Sequence, residues 1–280
     1  MARYLSLFVL ILLPGLSAAV APAVTAVAYQ PQGKSVAFAT DNQIWLFSTD
    51  RGDLIGRTSI PAGRITAIVY DPFGKQLAVA AGEAGKSGEV WLYRVENDGR
   101  LSSTPHVSFA GHKDAVYALA FAPDGKTLAT AGYDRLIHLW DVSPGQLTNT
   151  AVITTPRLTL KDHSDTIYGL SFHPDGLLLA SAGADRAVKV WDIASGRRLY
   201  TLSDPTDWVY CVSWSPDKKH LAAGGVDKSV RVWEADKESG RLIHSVFAHE
   251  KAVSRLAYST DGNTLYSVGE DKVIKAWNST

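Results

Sequence analysis

The sequence holds one cysteine, Cys211, and one methionine, Met1. A lone thiol excludes an internal disulfide framework. Without paired cysteines there is also no thiolate zinc site and no C-x-x-C-H haem attachment. Charge of one sign is missing too, because 28 basic side chains balance 28 acidic ones. That leaves no global attraction for nucleic acid or an anionic membrane. Helical periodicity is absent beyond the N-terminal apolar run. The Gly-rich stretch AGEAGKSGEV (81–90) contains Lys86-Ser87 but lacks the G-x-x-x-x-G-K-[ST] spacing of a phosphate cradle. No two histidines stand at the i, i+4 spacing of a helical metal site, so no metal and no cofactor are expected.

What is present begins with an export pattern. Arg3 supplies a positive start, YLSLFVLILL (4–13) an apolar run, Pro14-Gly15 a break, and Ala19 and Ala21 an A-x-A pattern. Residues 1–21 therefore read as a cleaved secretory signal peptide and place the protein in the periplasm or outside the cell. The alternative is an N-terminal membrane anchor. A spanning helix needs about 20 apolar residues, and this run is cut short.

The rest of the chain repeats. Trp45, Trp91, Trp140, Trp191, Trp233 and Trp277 recur at intervals of about 40–50 residues, each late in an alternating segment. In phase with them runs an aromatic residue, a Pro/Asp/Gly turn and a new apolar run: YQPQGKSV (29–36), YDPFGKQL (70–77), FAPDGKTL (121–128), FHPDGLLL (172–179), WSPDKKHL (214–221) and YSTDGNTL (258–265). Proline presets φ for the first turn position and glycine accepts a positive φ, so these are turns between antiparallel strands. In the fourth repeat the strands fall at 166–172, 178–182, 187–191 and 198–202. Four short strands per repeat make an all-β propeller with one domain over 24–277. Its six blades span about 24–62, 63–112, 113–163, 164–204, 205–249 and 250–277. The last blade ends without an outer strand, which leaves its strand edge open to self-association.

A second motif is superimposed on the blades: ATAGYDRLIHLWD (129–141), ASAGADRAVKVWD (180–192), AAGGVDKSVRVWE (222–234) and YSVGEDKVIKAWN (266–278). With Trp140-Asp141, Trp191-Asp192 and Gly111-His112, it makes the chain resemble the WD40-repeat β-propellers, here an exported, bacterial type. The resemblance implies a polar staple in each complete blade, with aspartate to histidine to Ser/Thr to the tryptophan N–H. The staples would be Asp134–His112–Thr130–Trp140, Asp185–His163–Ser181–Trp191 and Asp271–His249–Ser267–Trp277. Blades one, two and five lack the full set. His138 alternates outward on its strand. Three copies of a Ser/Thr-His-Asp trio point to architecture, and no catalytic residue is expected.

The resemblance also implies binding through the propeller end that carries the starts of the innermost strands. There Tyr117, Tyr168, Trp208 and Tyr210, with Tyr133 before Asp134, form a candidate partner-binding patch. The expected function is a non-catalytic protein-interaction scaffold outside the cytoplasm. The alternative is an exported propeller enzyme or small-molecule binder, lactonase-like or quinone-dependent, that uses the central channel. The short stretch Ser87-Gly88-Glu89-Val90-Trp91-Leu92 is similar to exported WD40 proteins associated with c-type cytochrome modules, which suggests such a module as the protein partner.

Overall fold

The computed structural model describes residues 23–61, 63–143 and 151–279. The signal peptide expected at 1–21 lies outside them. All 24 elements among the described residues are β-strands. Blade one is β1 (Val24–Tyr29), β2 (Ser35–Thr40), β3 (Gln43–Ser48) and β4 (Leu54–Ser59). Blade two is β5 (Ile65–Tyr70), β6 (Gln76–Glu83), β7 (Ser87–Arg94) and β8 (Val107–His112). Blade three is β9 (Val116–Phe121), β10 (Thr127–Gly132), β11 (Leu136–Asp141) and, after an excursion, β13 (Leu158–Lys161). That excursion carries β12 (Ala151–Ile153), which adds in parallel to β8 and gives blade two a fifth strand. Blade four is β14 (Ile167–Phe172), β15 (Leu178–Gly183), β16 (Val188–Asp192) and β17 (Arg198–Leu202), within a residue or so of the positions read from the alternation. Blade five is β18 (Val209–Trp214), β19 (His220–Gly225), β20 (Ser229–Ala235) and β21 (Gly240–Phe247). Blade six is β22 (Val253–Tyr258), β23 (Thr264–Gly269) and β24 (Ile274–Asn278), with no outer strand among the described residues.

Turn chemistry sets these registers. The first turn of each blade places its left-handed residue at Gly33, Gly74, Gly125, Gly176 and Gly262; Lys218 takes that place in blade five. The turn after the second strand puts the basic residue of the Asp-basic pair at positive φ: Arg135, Arg186, Lys228 and Lys272, between 61° and 68°. The glycine before that turn is dictated by approach. A Cβ on Gly132 would lie 2.0 Å from the Ala115 carbonyl oxygen of the innermost strand's approach.

Apolar residues facing both ways from each sheet build five separate cores, one between each pair of successive blades. The tryptophan of each blade from two to six packs on the blade before it. Trp191, for example, sits with Ala129, Ala131 and Leu139 of blade three. The innermost strands β1, β5, β9, β14, β18 and β22 surround a central channel of about 560 Å³. Neighbours in that series pack closely as far as β22, but the close packing is not continued from β22 to β1.

Candidate functional site

The three expected staples are closed. In blade three, His112 places Nδ1 2.9 Å from Asp134 Oδ2 and Nε2 2.7 Å from Thr130 Oγ1, which accepts the Trp140 N–H at 2.9 Å. Blade four repeats this with His163, Asp185, Ser181 and Trp191 at 2.8, 2.7 and 2.8 Å. In blade six His249 meets Asp271 at 3.1 Å and Ser267 at 2.8 Å, and Ser267 accepts from Trp277 at 2.9 Å. Polarity assigns the protons. A carboxylate only accepts and an indole only donates, so Nδ1–H donates to aspartate and the hydroxyl donates to Nε2. The same carboxylates accept the amides of Lys113, Ser164 and Glu250, which pins the loop entering each blade. Burial opposes ionisation of Asp134 and Asp185. The histidine bond and charge, with the backbone N–H donors, outweigh it and hold both carboxyls below the usual range. Thr130, Ser181 and Ser267 are fully buried, so no hydroxyl of the trio meets a substrate.

Blade five solves the same problem with different groups. Ala223 stands where the hydroxyl would be, and the Trp233 N–H donates instead to Asp204 Oδ2 at 2.8 Å. Asp227 pairs with Arg231 at 2.6 Å and accepts the Thr206 amide. The sequence signal for this was the acidic SDPTDW loop together with a strand arginine. Arg231 occupies the strand position filled by Lys189 in blade four, Lys275 in blade six and His138 in blade three, each opposite the hydroxyl position of the neighbouring strand.

His138 corrects an expectation. It does not point outward. It is buried, gives Nδ1 to Thr159 Oγ1 at 2.9 Å, and lies 4.3 Å from the His112 ring. Burial first, and then the neighbouring His112, lowers its pKa to about 4. His112, Asp134 and His138 bring potential metal donors within 4.8 Å of one another. Hydrogen bonds already engage both nitrogens of His112, the Asp134 carboxylate and Nδ1 of His138, which leaves only the Nε2 of His138. Cys211 is buried as expected, and burial pushes its thiol up to about 12, which removes thiolate chemistry at neutral pH.

The aromatic patch assembles across three blades. Tyr168 is its hub: Tyr117 lies 5.6 Å away, Tyr210 5.3 Å away edge-on, and Trp208 6.4 Å away. The three tyrosines line the channel, and Trp208 is 44% exposed beside them. Tyr133, also exposed, makes no ring contact with this row, although it lies near enough to raise the Tyr117 pKa, after burial and Asp114. Among the described channel-lining residues the only charged side chain is Arg255.

The family model for the WD domain, G-beta repeat, matches residues 103–141, 154–192, 196–234 and 240–278, more than half of the chain. The chain belongs to the WD40 repeat family. Among similar proteins, Coronin-7 of Mus musculus is 40% identical over 111 residues, 39% of this chain and 12% of Coronin-7. Human Coronin-7 is 32% identical over 116 residues, 40% of this chain and 12% of its own length. Protein HIR1 of Kluyveromyces lactis is 22% identical over 173 residues, 59% of this chain and 17% of HIR1. The likeness therefore spans under a fifth of these longer relatives. The residues matched by the family model include Asp134, Asp185 and Asp271. No helix among the described residues is long and apolar enough to cross a membrane.

Proposed function

We propose that this WD40 propeller is a non-catalytic scaffold that presents its aromatic channel mouth to protein partners outside the cytoplasm. The observation that carries this reading is the contiguous row Tyr117, Tyr168, Tyr210 and Trp208, half-buried to exposed, at one end of the ring. Tyrosine and tryptophan dominate interface energetics because they bury much apolar area at little conformational cost. The non-catalytic part rests on the buried hydroxyls of the staples and on a channel without convergent carboxylates among its described lining residues. The location rests on the N-terminal pattern of Arg3, the apolar run and Ala19/Ala21. A c-type cytochrome module is the first partner to test, on the strength of residues 87–92.

The test is a comparison of proteins retained by the wild-type chain and by a Tyr117→Ala/Tyr168→Ala/Trp208→Ala variant. Partners are expected to be lost while the circular dichroism stays that of the wild type. Partners retained by the folded variant would move the interface to another surface. Mass spectrometry of the mature N-terminus tests the export half, with a first residue between 20 and 24 expected.

A further inference from the structure

Each blade carries one strand tryptophan, and five of the six indole N–H groups have an acceptor. Thr40, Thr130, Ser181, Asp204 and Ser267 serve Trp45, Trp140, Trp191, Trp233 and Trp277. Trp91 is the exception. It is only 3% exposed, yet nothing among the described residues accepts its N–H. The cause is local. The pairing Ala81 with Glu89 puts Ala81 where Thr130, Ser181 and Ser267 carry their hydroxyls, opposite His138, Lys189 and Lys275. The staple histidine is missing as well. His112, His163 and His249 each stand four residues before an inner strand begins, and the same step back from Ile65 reaches Pro61.

The place that the histidine takes in the stapled blades is here an open pocket of about 220 Å³. Gly63, Ala81, Gly82, Glu89 and Trp91 line it, and the exposed Lys86–Glu83 ion pair edges it. The hairpin above is drawn off to one side. Gly85 donates to Asp114 Oδ1 at 2.8 Å, and a Cβ on Gly88 would lie 2.1 Å from the Asp114 carbonyl oxygen. The β6–β7 turn therefore rests on the loop entering blade three and supplies no aspartate to the pocket. Glu89 supplies a carboxylate instead, at a position where blades three to six carry His138, Lys189, Arg231 and Lys275. Glu89 is partly buried and has no hydrogen-bond or ion-pair partner among the described residues. Blade five also lacks the histidine and the hydroxyl, but there Asp204 takes the Trp233 N–H and Arg231 reaches Asp227. A donor on one wall and an acceptor on another suit a ring that accepts at one nitrogen and donates at the other, which describes neutral imidazole. A lysine side chain offers no acceptor, and phenylalanine offers neither group.

We propose that blade two binds the histidine side chain of a partner segment in this pocket, with one ring nitrogen accepting the Trp91 N–H and the other donating to Glu89. Three equivalent places in the same chain already hold a histidine of their own, which is what selects this occupant. Without a hydroxyl between indole and imidazole, the ring sits one hydrogen bond deeper than in the staples. No member of the aromatic row lines the pocket, so the site is separate from the channel mouth. It is tested with the full chain, its tryptophans labelled with nitrogen-15, by following the indole N–H resonances. The probes are acetyl-Gly-Ser-His-Ser-Gly-amide, its lysine and phenylalanine counterparts, and imidazole. Trp91→Phe identifies the Trp91 resonance. The histidine peptide is expected to move that resonance saturably and to leave those of Trp140, Trp191 and Trp277 in place. The lysine and phenylalanine peptides are expected to bind at least about tenfold more weakly, since each forgoes a hydrogen bond. Glu89→Val, which removes an unpartnered carboxylate and is expected to fold, should cost the histidine peptide about tenfold in affinity. Tyr117→Ala/Tyr168→Ala/Trp208→Ala should bind the peptide as the wild type does. No saturable shift at Trp91, equal binding of the lysine or phenylalanine peptide, or unchanged binding by Glu89→Val overturns the proposal. Binding of imidazole without binding of the peptide also overturns it, because the pocket would then be closed to a partner segment.

Discussion

Trp191 and Trp45 occupy the same strand position in two blades and live in different surroundings. Trp191 is 2% exposed, covered by blade three, and its N–H ends a chain of four groups that reaches Asp185. Trp45 faces the seam between blade six and blade one, where no close packing covers it. Its N–H donates to Thr40 Oγ1 at 3.2 Å with no histidine behind, and the Arg57 guanidinium lies 4.4 Å from its ring centre. Other residues of that blade face are open, with Val27 54% and Tyr29 60% exposed, and across the seam Ile274 is 70% exposed. In these two blades the longer polar chain goes with the covered ring, although the buried Trp91 and Trp233 stand in blades without the full staple. A fully buried indole N–H needs a satisfied partner, whereas a partly buried one such as that of Trp45 is less dependent on it.

The sharpest way to break this comparison is to remove both rings. Trp191→Ala is expected to cost about 3–5 kcal/mol as a core truncation, and Trp45→Ala less than half of that. Urea unfolding measures both, and equal costs would mean that the seam is as well packed as the interior interfaces. Next in size is the staple itself. Asp185→Ala is expected to destabilise by about 1–3 kcal/mol, since it leaves the buried His163 Nδ1–H and the Ser164 amide without their acceptor. Partner affinity of the folded fraction should not change. A variant that melts like the wild type yet loses an activity would make Asp185 a site residue.

Acid titration separates blade three from blade four. Asp134 and Asp185 have depressed folded pKa values, so the stability they add is present above the unfolded value of about 3.9 and is lost as pH falls through the folded one. His138 is also depressed, to about 4, but as a base its sign is different. Between about 6.5 and about 4 the unfolded chain takes up a proton that the folded chain refuses, so stability falls with pH across that window. His138→Gln is expected to flatten that slope while leaving the loss below pH 4 in place. A slope unchanged in the variant would assign it to other groups. Blade four, with Lys189 at the equivalent position, has no counterpart of this titration.

The smallest expected effect is kinetic. β24 pairs only with β23 among the described residues, so its outward amides are expected to exchange faster than those of β16, which is paired on both sides. Light scattering over a range of concentrations asks whether copies associate through that edge. Full protection of residues 274–278 in a monomer would mean that the seam is closed.

Much of this architecture was legible without coordinates because it is local. Period-two alternation marks which side of a strand is apolar, and Pro/Asp/Gly turns mark where it reverses. A motif such as ASAGADRAVKVWD carries its hydroxyl, aspartate and tryptophan within a few residues. The strands of blade four followed from these signals, and the three staples from the resemblance to WD40 propellers that the motif carries. Cys211 also followed, as a buried thiol in a strand. What required tertiary structure was everything that depends on a neighbour distant in the chain. Alternation placed His138 on a face without showing that the His112 ring and Thr159 cover that face. Ala223 announced a missing hydroxyl, but only the fold brought Asp204 to the Trp233 N–H. The residues after β11 carried no cue that Ala151–Ile153 would pair with blade two before β13 completed blade three. The sequence by itself therefore determined six amphipathic repeats, since these are set by spacing along the strand. Only the tertiary structure decided which face each blade covers, leaves open at the seam, or turns to the channel mouth, because burial is fixed by the blade that arrives beside it.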